Sequence, residues 1–202
     1  LRTYEFQHPT WFITHLKVSR NHHLVSNAPY GFRVLAGCRA FLMPHQISTV
    51  ARCFETMPVR YMLADEVGLG KTVEACSILS ILVSENKDLR VLLIVPGALV
   101  GQWKNELHYK YGMEAQVASA KANLCILPME DLENANLVLN AAWDLAIVDE
   151  THRLLNNDGW YHQIETTSKK VKHILLLSAT PIQDRNEEYR RLLVLLNPEQ
   201  YE

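Results

Sequence analysis

Residues 63–73 read Leu-Ala-Asp-Glu-Val-Gly-Leu-Gly-Lys-Thr-Val, an apolar segment that runs into a turn with two glycines. A helix is predicted to begin near Thr72, where helical periodicity starts. A strand, a glycine turn and a helix in this order form a phosphate site, because backbone N–H groups and the helix N-terminus face the anion. Gly68 and Gly70 permit the backbone to approach the phosphate closely. Lys71 supplies a cation, and the hydroxyl after it is placed to ligate magnesium.

The match to the general phosphate-loop pattern is imperfect, because that pattern has Gly where this chain has Asp65. An ordinary helix cap followed by an exposed Lys71 is the alternative interpretation. The flanking strand and helix favour the phosphate site. We therefore expect ATP and Mg²⁺ as the cofactors.

A second apolar segment, residues 145–148, ends in the carboxylates Asp149 and Glu150. At the carboxyl edge of a parallel sheet such side chains border the ligand crevice. We expect Asp149 to hold Mg²⁺, directly or through water, and Glu150 to orient and deprotonate the attacking water. An acidic pair on its own is more often a helix cap or a solvated loop. Its combination with Lys71 is much stronger evidence than either motif alone.

A third apolar segment ends in Ser178-Ala-Thr-Pro, residues 178–181. Ser178 and Thr180 could bond to His152 and report the nucleotide state, although an ordinary turn at a strand end is the alternative. No Gly-x-Ser-x-Gly elbow supports nucleophilic catalysis.

From Phe41 onward, short apolar runs alternate with helical periodicity, which predicts an α/β fold whose parallel sheet carries helices on both faces. The predicted strands are residues 61–64, 91–95, 123–127, 145–148 and 173–178. Two helices are predicted after Pro44 and Pro96, and the others at residues 72–84, 131–140, 161–168 and 186–196. Their predicted apolar faces comprise Ile47, Val50, Ala51, Phe54 and Met57 in the first, and Leu99, Val100, Trp103 and Leu107 in the second.

Residues 1–38 mix aromatic and β-branched residues with His, Asn and Pro, which predicts an irregular or β extension before a lobe at residues 39–202. Four of the nine histidines lie there without a Cys or carboxylate at ligand spacing, so a metal site is disfavoured. Because the chain begins with Leu1 rather than Met, we expect it to be a segment of a larger protein.

The composition excludes several classes of protein. A net charge of −2 is unlike the basic footprint of a free-standing nucleic-acid binder, so any DNA contact must be local or shared. Four cysteines without a CxxC pair predict reduced thiols in a cytoplasmic protein. The longest apolar run, residues 91–95, meets Pro96 far short of a membrane span.

Taken in order, these motifs resemble the first RecA-like lobe of the Swi/Snf family in helicase superfamily two. The resemblance covers about residues 41–202 and rests on Pro44 to Gln46, Asp65 to Thr72, Val95 to Trp103, Asp149 to His152, Ser178 to Gln183 and Leu195 to Pro198. That family has Asp in place of the first P-loop Gly, so Asp65 agrees with it. The motifs are most similar to bacterial members, the RNA-polymerase-associated RapA group and phage-defence proteins.

The resemblance implies a role for each motif. His45 and Gln46 would read the adenine. The phosphates would be bound by Asp65, Glu66, Val67, Gly68, Leu69, Gly70, Lys71, Thr72 and Val73. His152, Ser178, Ala179 and Thr180 would couple hydrolysis to movement. Pro96, Gln102 and Trp103 match the segment beside the DNA strand, although Trp103 also lies on the apolar helix face and a core role is favoured for it. Thr151 departs from the usual Ala, but neither metal nor water requires that side chain.

The resemblance further implies an ATP-dependent translocase on double-stranded DNA, with a second RecA-like lobe in cis. Hydrolysis by this chain alone would be very slow, because an arginine finger from the second lobe contributes roughly 10³- to 10⁵-fold. RNA polymerase or antiviral defence proteins are the implied partners. The alternative is a catalytically inactive interaction module with a helicase fold, which the presence of Lys71, Asp149 and Glu150 argues against. A small-molecule kinase or P-loop switch is disfavoured by Gln46 together with His152 and the Ser-Ala-Thr segment.

Overall fold

A six-stranded sheet forms the centre of the computed structural model, which describes residues 31–40, 42–64, 70–178 and 186–201. The strands are β1 (Arg60–Leu63), β2 (Val91–Val95), β3 (Gln116–Val117), β4 (Leu124–Pro128), β5 (Leu145–Val148) and β6 (His173–Leu177). Their order is β1-β6-β5-β2-β4-β3, and all five pairings are parallel. The predicted parallel sheet is therefore confirmed.

The strand register aligns the carboxyl ends of four strands at one edge. Leu63 pairs with Leu177, and Val148 pairs with both Leu176 and Ile94. The residues that follow β1, β6, β5 and β2 therefore begin along the same edge of the sheet, called the carboxyl edge below. It is the edge at which ligands bind in open α/β sheets.

Eight α-helices lie in the part of the chain that the structure describes. They are α1 (Pro44–Cys53), α2 (Lys71–Glu85), α3 (Val100–Tyr111), α4 (Asn136–Leu139), α5 (His152–Leu155), α6 (Asp158–Lys170), α7 (Asn186–Leu196) and α8 (Pro198–Tyr201). Pro44 occupies the first turn of α1, where its missing N–H costs nothing. Gly112 ends α3 with φ +65°, a conformation that favours glycine. The Asn157 side chain caps α6 by accepting from Trp160 N.

Alternate residues of the buried strands enter two separate hydrophobic clusters. Leu93 of β2 packs in the cluster that α1, α2 and α3 cover, whereas Ile94 packs in the cluster that α6 and α7 cover. This alternation follows from the period of two along a strand. Helices thus cover both faces of the sheet, as the sequence predicted.

Most element bounds differ from the predicted ones by a few residues, and three larger differences stand out. Met57 was predicted to lie on the apolar face of the first helix, but α1 ends at Cys53 and Met57 is 53% exposed. Residues 131–140 do not form one helix, because a 3-10 helix (Met129–Asn134) and α4 are separated at Ala135. Strand β3 was missed, since both of its residues are exposed at the sheet's edge and carry no apolar pattern.

The prediction for the N-terminal extension falls mainly on residues 1–30, which lie outside the described residues, as do its four histidines. Residues Phe32–Gly37 form a 3-10 helix. Phe32 and Leu35 are buried in the same cluster as α2, so this segment packs on the lobe. No described helix has the length and apolar character that a membrane span requires.

Candidate functional site

The turn after β5 presents Asp149 and Glu150 at the carboxyl edge. The backbone N–H of Asp149 donates to the carbonyl of Ile94 at 2.9 Å, which ties the start of the turn to β2. Glu150 has φ +49°, a left-handed backbone conformation that non-glycine residues rarely adopt. Such conformations cluster at functional sites, where the surrounding structure maintains them.

The Asp149 carboxylate is held by two N–H donors. Glu150 N donates to Oδ1 at 2.8 Å, and the indole Nε1 of Trp103 donates to Oδ2 at 2.8 Å. Asp149 is 7% exposed and Trp103 is 1% exposed. Each described bond uses one lone-pair site on an oxygen that has two, so the carboxylate retains the capacity to bind a cation.

Thr151 fastens the other side of the turn to β6. Its backbone N–H and its hydroxyl both donate to the carbonyl of Leu177, at 3.0 and 3.2 Å. Ser178, which follows Leu177 at the end of β6, is buried, and its N–H donates to the carbonyl of Leu63 at the end of β1. The ends of β5, β6 and β1 are thereby joined in sequence by hydrogen bonds.

His152 lies beside the second carboxylate. Its Nδ1 is 3.2 Å from Glu150 Oε2, and both side chains are partly exposed. The expected partner Thr180 and the neighbouring Ala179 lie outside the described residues. The contact with Glu150 was not predicted, although the spacing of two residues in a tight turn allows it.

Gly70 and Gln46 meet at the start of α2. Gly70 has φ +90°, a conformation that favours glycine, and a Cβ built on it would lie 2.2 Å from the Gln46 Nε2 atom, so the end of the Gln46 side chain would have to move. Gln46 is 5% exposed, and its Oε1 accepts from Met43 N at 2.9 Å. Asp65 to Leu69 lie outside the described residues, whereas Lys71, Thr72 and Val73 form the first turn of α2 and are partly buried.

The described residues fit a Mg²⁺ ion that is bound together with phosphates and water rather than inside a preformed protein cage. No described group of three or more His, Cys, Asp or Glu side chains is arranged to hold a metal ion. Mg²⁺ prefers oxygen ligands, and it is usually bound by one or two carboxylates together with substrate phosphates and water. The carboxylate of Asp149 and the hydroxyl of Thr72 fit that mode of binding.

The segment after β2 divides into an exposed part and a buried part. Gln102 is exposed, whereas Pro96 and Trp103 are buried. The core role predicted for Trp103 is confirmed, and its indole is directed to Asp149.

Glu130 links this segment to α5, the helix that follows the turn after β5. Its Oε2 accepts from Gly97 N at 2.7 Å, and its Oε1 lies 3.2 Å from the Arg153 guanidinium. Burial opposes ionisation, but N–H donors from its own backbone and from Gly97, with the Arg153 charge, hold the pKa of Glu130 below its ordinary value. Glu130 and Arg153 were not among the predicted site residues, and the only signal in the sequence is that the Glu130 carboxylate stands just after β4.

Comparison with protein families matches residues 45–121 and 109–202 to the SNF2-related domain. The uncharacterized ATP-dependent helicase YqhH of Bacillus subtilis (strain 168) is 38% identical over 164 residues, covering 77% of this chain and 29% of that protein. The RNA polymerase-associated protein RapA of Haemophilus influenzae is 36% identical over 192 residues, covering 84% of this chain and 21% of that protein. The chain thus spans less than a third of the length of these relatives.

Two solved structures share the fold. The Sulfolobus solfataricus SWI2/SNF2 ATPase core in complex with dsDNA matches with a TM-score of 0.73 and 22% identity, over 85% of this chain and 37% of that chain. The Sulfolobus solfataricus SWI2/SNF2 ATPase core domain matches with a TM-score of 0.69 and 24% identity, over 80% of this chain and 36% of that chain. The structural likeness concerns the fold alone, but the family match extends over most of the chain from α1 to its end, and the chain belongs to the SNF2-related domain family.

Proposed function

We propose that this chain is the ATP-binding lobe of an ATP hydrolase that moves along double-stranded DNA. The observation that carries the proposal is the turn after β5, which holds two carboxylates at the carboxyl edge. Hydrogen bonds join this turn to β2 and β6, and β6 to the end of β1, the strand that leads to Lys71. This is the edge at which a triphosphate would meet both motifs.

Each described motif has a role in this proposal. Lys71 would pair with the phosphates, and Thr72 and Asp149 would hold Mg²⁺, which neutralises charge on the phosphates when bound. Glu150 would orient the attacking water, and His152 Nδ1 lies 3.2 Å from its Oε2 without a hydrogen bond between them. Gln46, which packs against Gly70, would read the adenine together with the exposed His45.

Association with DNA and with other proteins belongs to the whole protein. The proposal that DNA is tracked is supported by family membership and by the similar Sulfolobus solfataricus ATPase core, which was solved in complex with dsDNA. RNA polymerase is the favoured partner, because several relatives are RNA polymerase-associated proteins. A second RecA-like lobe in cis would complete the ATPase. We also propose, for the whole protein, a cytoplasmic location and a role in antiviral defence.

An inactive interaction module is the competing function, and nucleotide binding separates the two. We expect the chain to bind ATP with Mg²⁺, and Lys71→Ala to weaken that binding at least tenfold. Lys87→Ala is the matched control, because Lys87 is exposed in the turn before β2, away from the carboxyl edge. In the full-length protein, which would supply the second lobe, Glu150→Gln should retain binding while single-turnover hydrolysis falls roughly 100-fold or more, since a general base contributes about 10²- to 10⁴-fold.

Isothermal titration calorimetry and a radiolabelled single-turnover assay make these two measurements. If the parent chain binds no ATP, the proposal fails and the inactive module is favoured. Equal affinities for Lys71→Ala and Lys87→Ala would remove Lys71 from the phosphate site.

A further inference from the structure

The hydrogen bond between Trp103 and Asp149 joins two parts of the chain that are 46 positions apart. We propose that Trp103 is a positioning residue, whose indole N–H holds the Asp149 carboxylate in the orientation that binds Mg²⁺. This inference rests on the function proposed above, in which Asp149 is a magnesium ligand. It adds a role for a residue whose helical periodicity indicated burial and whose motif resembles the segment beside the DNA strand.

The indole ring is held rigidly, and this fixes the direction of its N–H. Trp103 lies on α3, is 1% exposed, and packs in the cluster that also contains Leu107 and Val95. Protein interiors are packed as densely as organic crystals, so a ring buried in this way rotates little. The 2.8 Å bond therefore fixes the position of Asp149 Oδ2 relative to α3.

Two donors from different elements define the carboxylate plane. Oδ1 accepts from the backbone N–H of Glu150, and Oδ2 accepts from Trp103. With only the Glu150 bond, the carboxylate could rotate about its Cβ–Cγ bond, because terminal torsions of this kind are broad. The second donor removes that freedom before a cation arrives.

An indole N–H suits this role better than a charged donor would. Indole is a donor only and carries no charge, whereas Arg or Lys at the same place would compete with Mg²⁺ for the carboxylate. Asp149 is 7% exposed, so few water molecules reach it to replace a lost donor. Partners that orient metal ligands in this way typically change metal affinity by about 10- to 100-fold when they are removed.

Trp143 offers a matched comparison within the same chain. It is 5% exposed, and its Nε1 donates to the carbonyl of Val138 at 2.7 Å, in the other hydrophobic cluster. A buried indole N–H needs a partner in any case. A purely structural role for Trp103 therefore predicts that Trp103→Phe and Trp143→Phe behave alike.

The test measures how ATP binding by the 202-residue chain depends on Mg²⁺. Calorimetric titrations with the nonhydrolysable β,γ-imido analogue of ATP, at a series of Mg²⁺ concentrations, give the half-saturating Mg²⁺ concentration. We expect Trp103→Phe to raise it about tenfold or more. Affinity measured in EDTA should change less than twofold, and Trp143→Phe should change neither quantity.

Three results would overturn the inference. A half-saturating Mg²⁺ concentration for Trp103→Phe within twofold of the parent value would do so, as would an equal rise for Trp143→Phe. If the parent chain does not bind the nucleotide at all, the proposed function fails and the inference fails with it.

If Trp103→Phe does not fold, the parent chain provides a second measurement. The indole ¹H–¹⁵N resonances are assigned by replacing Trp11, Trp143 and Trp160 with Phe one at a time. Adding Mg²⁺ to the chain that already holds the nucleotide analogue should shift the Trp103 indole resonance and leave that of Trp143 in place. Equal shifts, or no shift at Trp103, would overturn the inference.

Discussion

Asp149 and Glu150 are adjacent in sequence but have different surroundings. Asp149 is 7% exposed, and described N–H donors bind both of its oxygens, which fixes its orientation. The side chain of Glu150 is 30% exposed and lies beside His152. A fixed carboxylate suits cation binding, and an accessible one suits orientation of water, so the environment of each residue supports its proposed role.

Thr151 follows the acidic pair, and its hydroxyl forms one of the two hydrogen bonds that join the turn to β6. We predict that Thr151→Ala lowers the free energy of unfolding by about 1 to 2 kcal/mol, because it deletes a buried methyl group and a hydrogen bond to Leu177. Affinity for Mg²⁺ and ATP should remain within twofold. Urea denaturation and calorimetry make the two measurements.

Thr151→Ser is the control, since it keeps the hydroxyl that donates to Leu177 O and should recover part of the lost stability. A tenfold loss of nucleotide affinity in Thr151→Ala would contradict the prediction. It would mean that this side chain helps to set the geometry of the acidic pair.

At the scale of elements, Arg60 connects β1 to the ends of two helices. Its guanidinium donates to the carbonyls of Ser168 and Val171 at the end of α6, and to those of Leu195 and Leu196 at the end of α7. Helix ends leave their last carbonyls without intrahelical partners, and a cation there also interacts favourably with the helix dipole. One side chain thus caps two helices and fixes both to the sheet.

We predict that Arg60→Met lowers the free energy of unfolding by about 3 kcal/mol, because several buried carbonyls lose a charged donor while the side chain keeps its length. Arg52→Met is the control, because Arg52 is exposed in the last turn of α1. Urea denaturation of the two variants and the parent measures the difference. A loss in Arg60→Met no larger than that in Arg52→Met would show that the cap contributes little.

The elements that the sequence predicted best are those buried on both faces. Strands β2 and β5 were predicted with their observed bounds, because a continuous apolar run followed by Pro96 or by Asp149 marks both type and end. Helix α7 was predicted with its bounds for a similar reason, since its apolar period is regular. Strand β3 has neither signal.

The candidate site was predictable only where the chemistry is local. Lys71 and the acidic pair stand in short motifs, so their residue types and spacing carry the inference. The bond from Trp103 to Asp149 was not predictable, because periodicity indicated burial but not which distant side chain the indole would meet. The contact between Glu130 and Arg153 was missed for the same reason, since the 3-10 helix and α5 that carry them meet only in the folded chain.

At the scale of the whole molecule, the candidate site and the polar residues Arg60 and His173 lie at opposite edges of the sheet. The candidate site occupies the carboxyl edge, whereas Arg60 and His173 lie where β1 and β6 begin, at the opposite edge. His173 is 3% exposed, and its Nδ1 accepts from Val59 N at 3.0 Å. The hydrogen bonds of Arg60 and His173 thus stabilise the fold at that edge.

His173 makes the stability of the fold depend on pH. Burial is the main reason that the pKa of His173 falls from 6.5 to about 4; Lys172 and, less strongly, Arg60 add to the fall, and Asp144 opposes it. Protonation would also remove the lone pair that accepts from Val59. Below pH 6.5 the unfolded chain therefore binds a proton that the folded chain does not. Stability from this residue is complete above that pH and is lost as the pH falls towards 4.

We predict that His173→Asn removes this loss, because the Asn carbonyl oxygen can accept from Val59 N and does not titrate. The parent chain should lose about 2 kcal/mol more than the variant on acidification from about pH 6.5 to about pH 4.5, since one pKa unit corresponds to about 1.4 kcal/mol. Urea denaturation across this range measures both slopes. His162→Asn, at an exposed position, should retain the parental slope. Parallel slopes for the parent and His173→Asn would show that another group controls acid stability, because any cost of the substitution itself is the same at every pH.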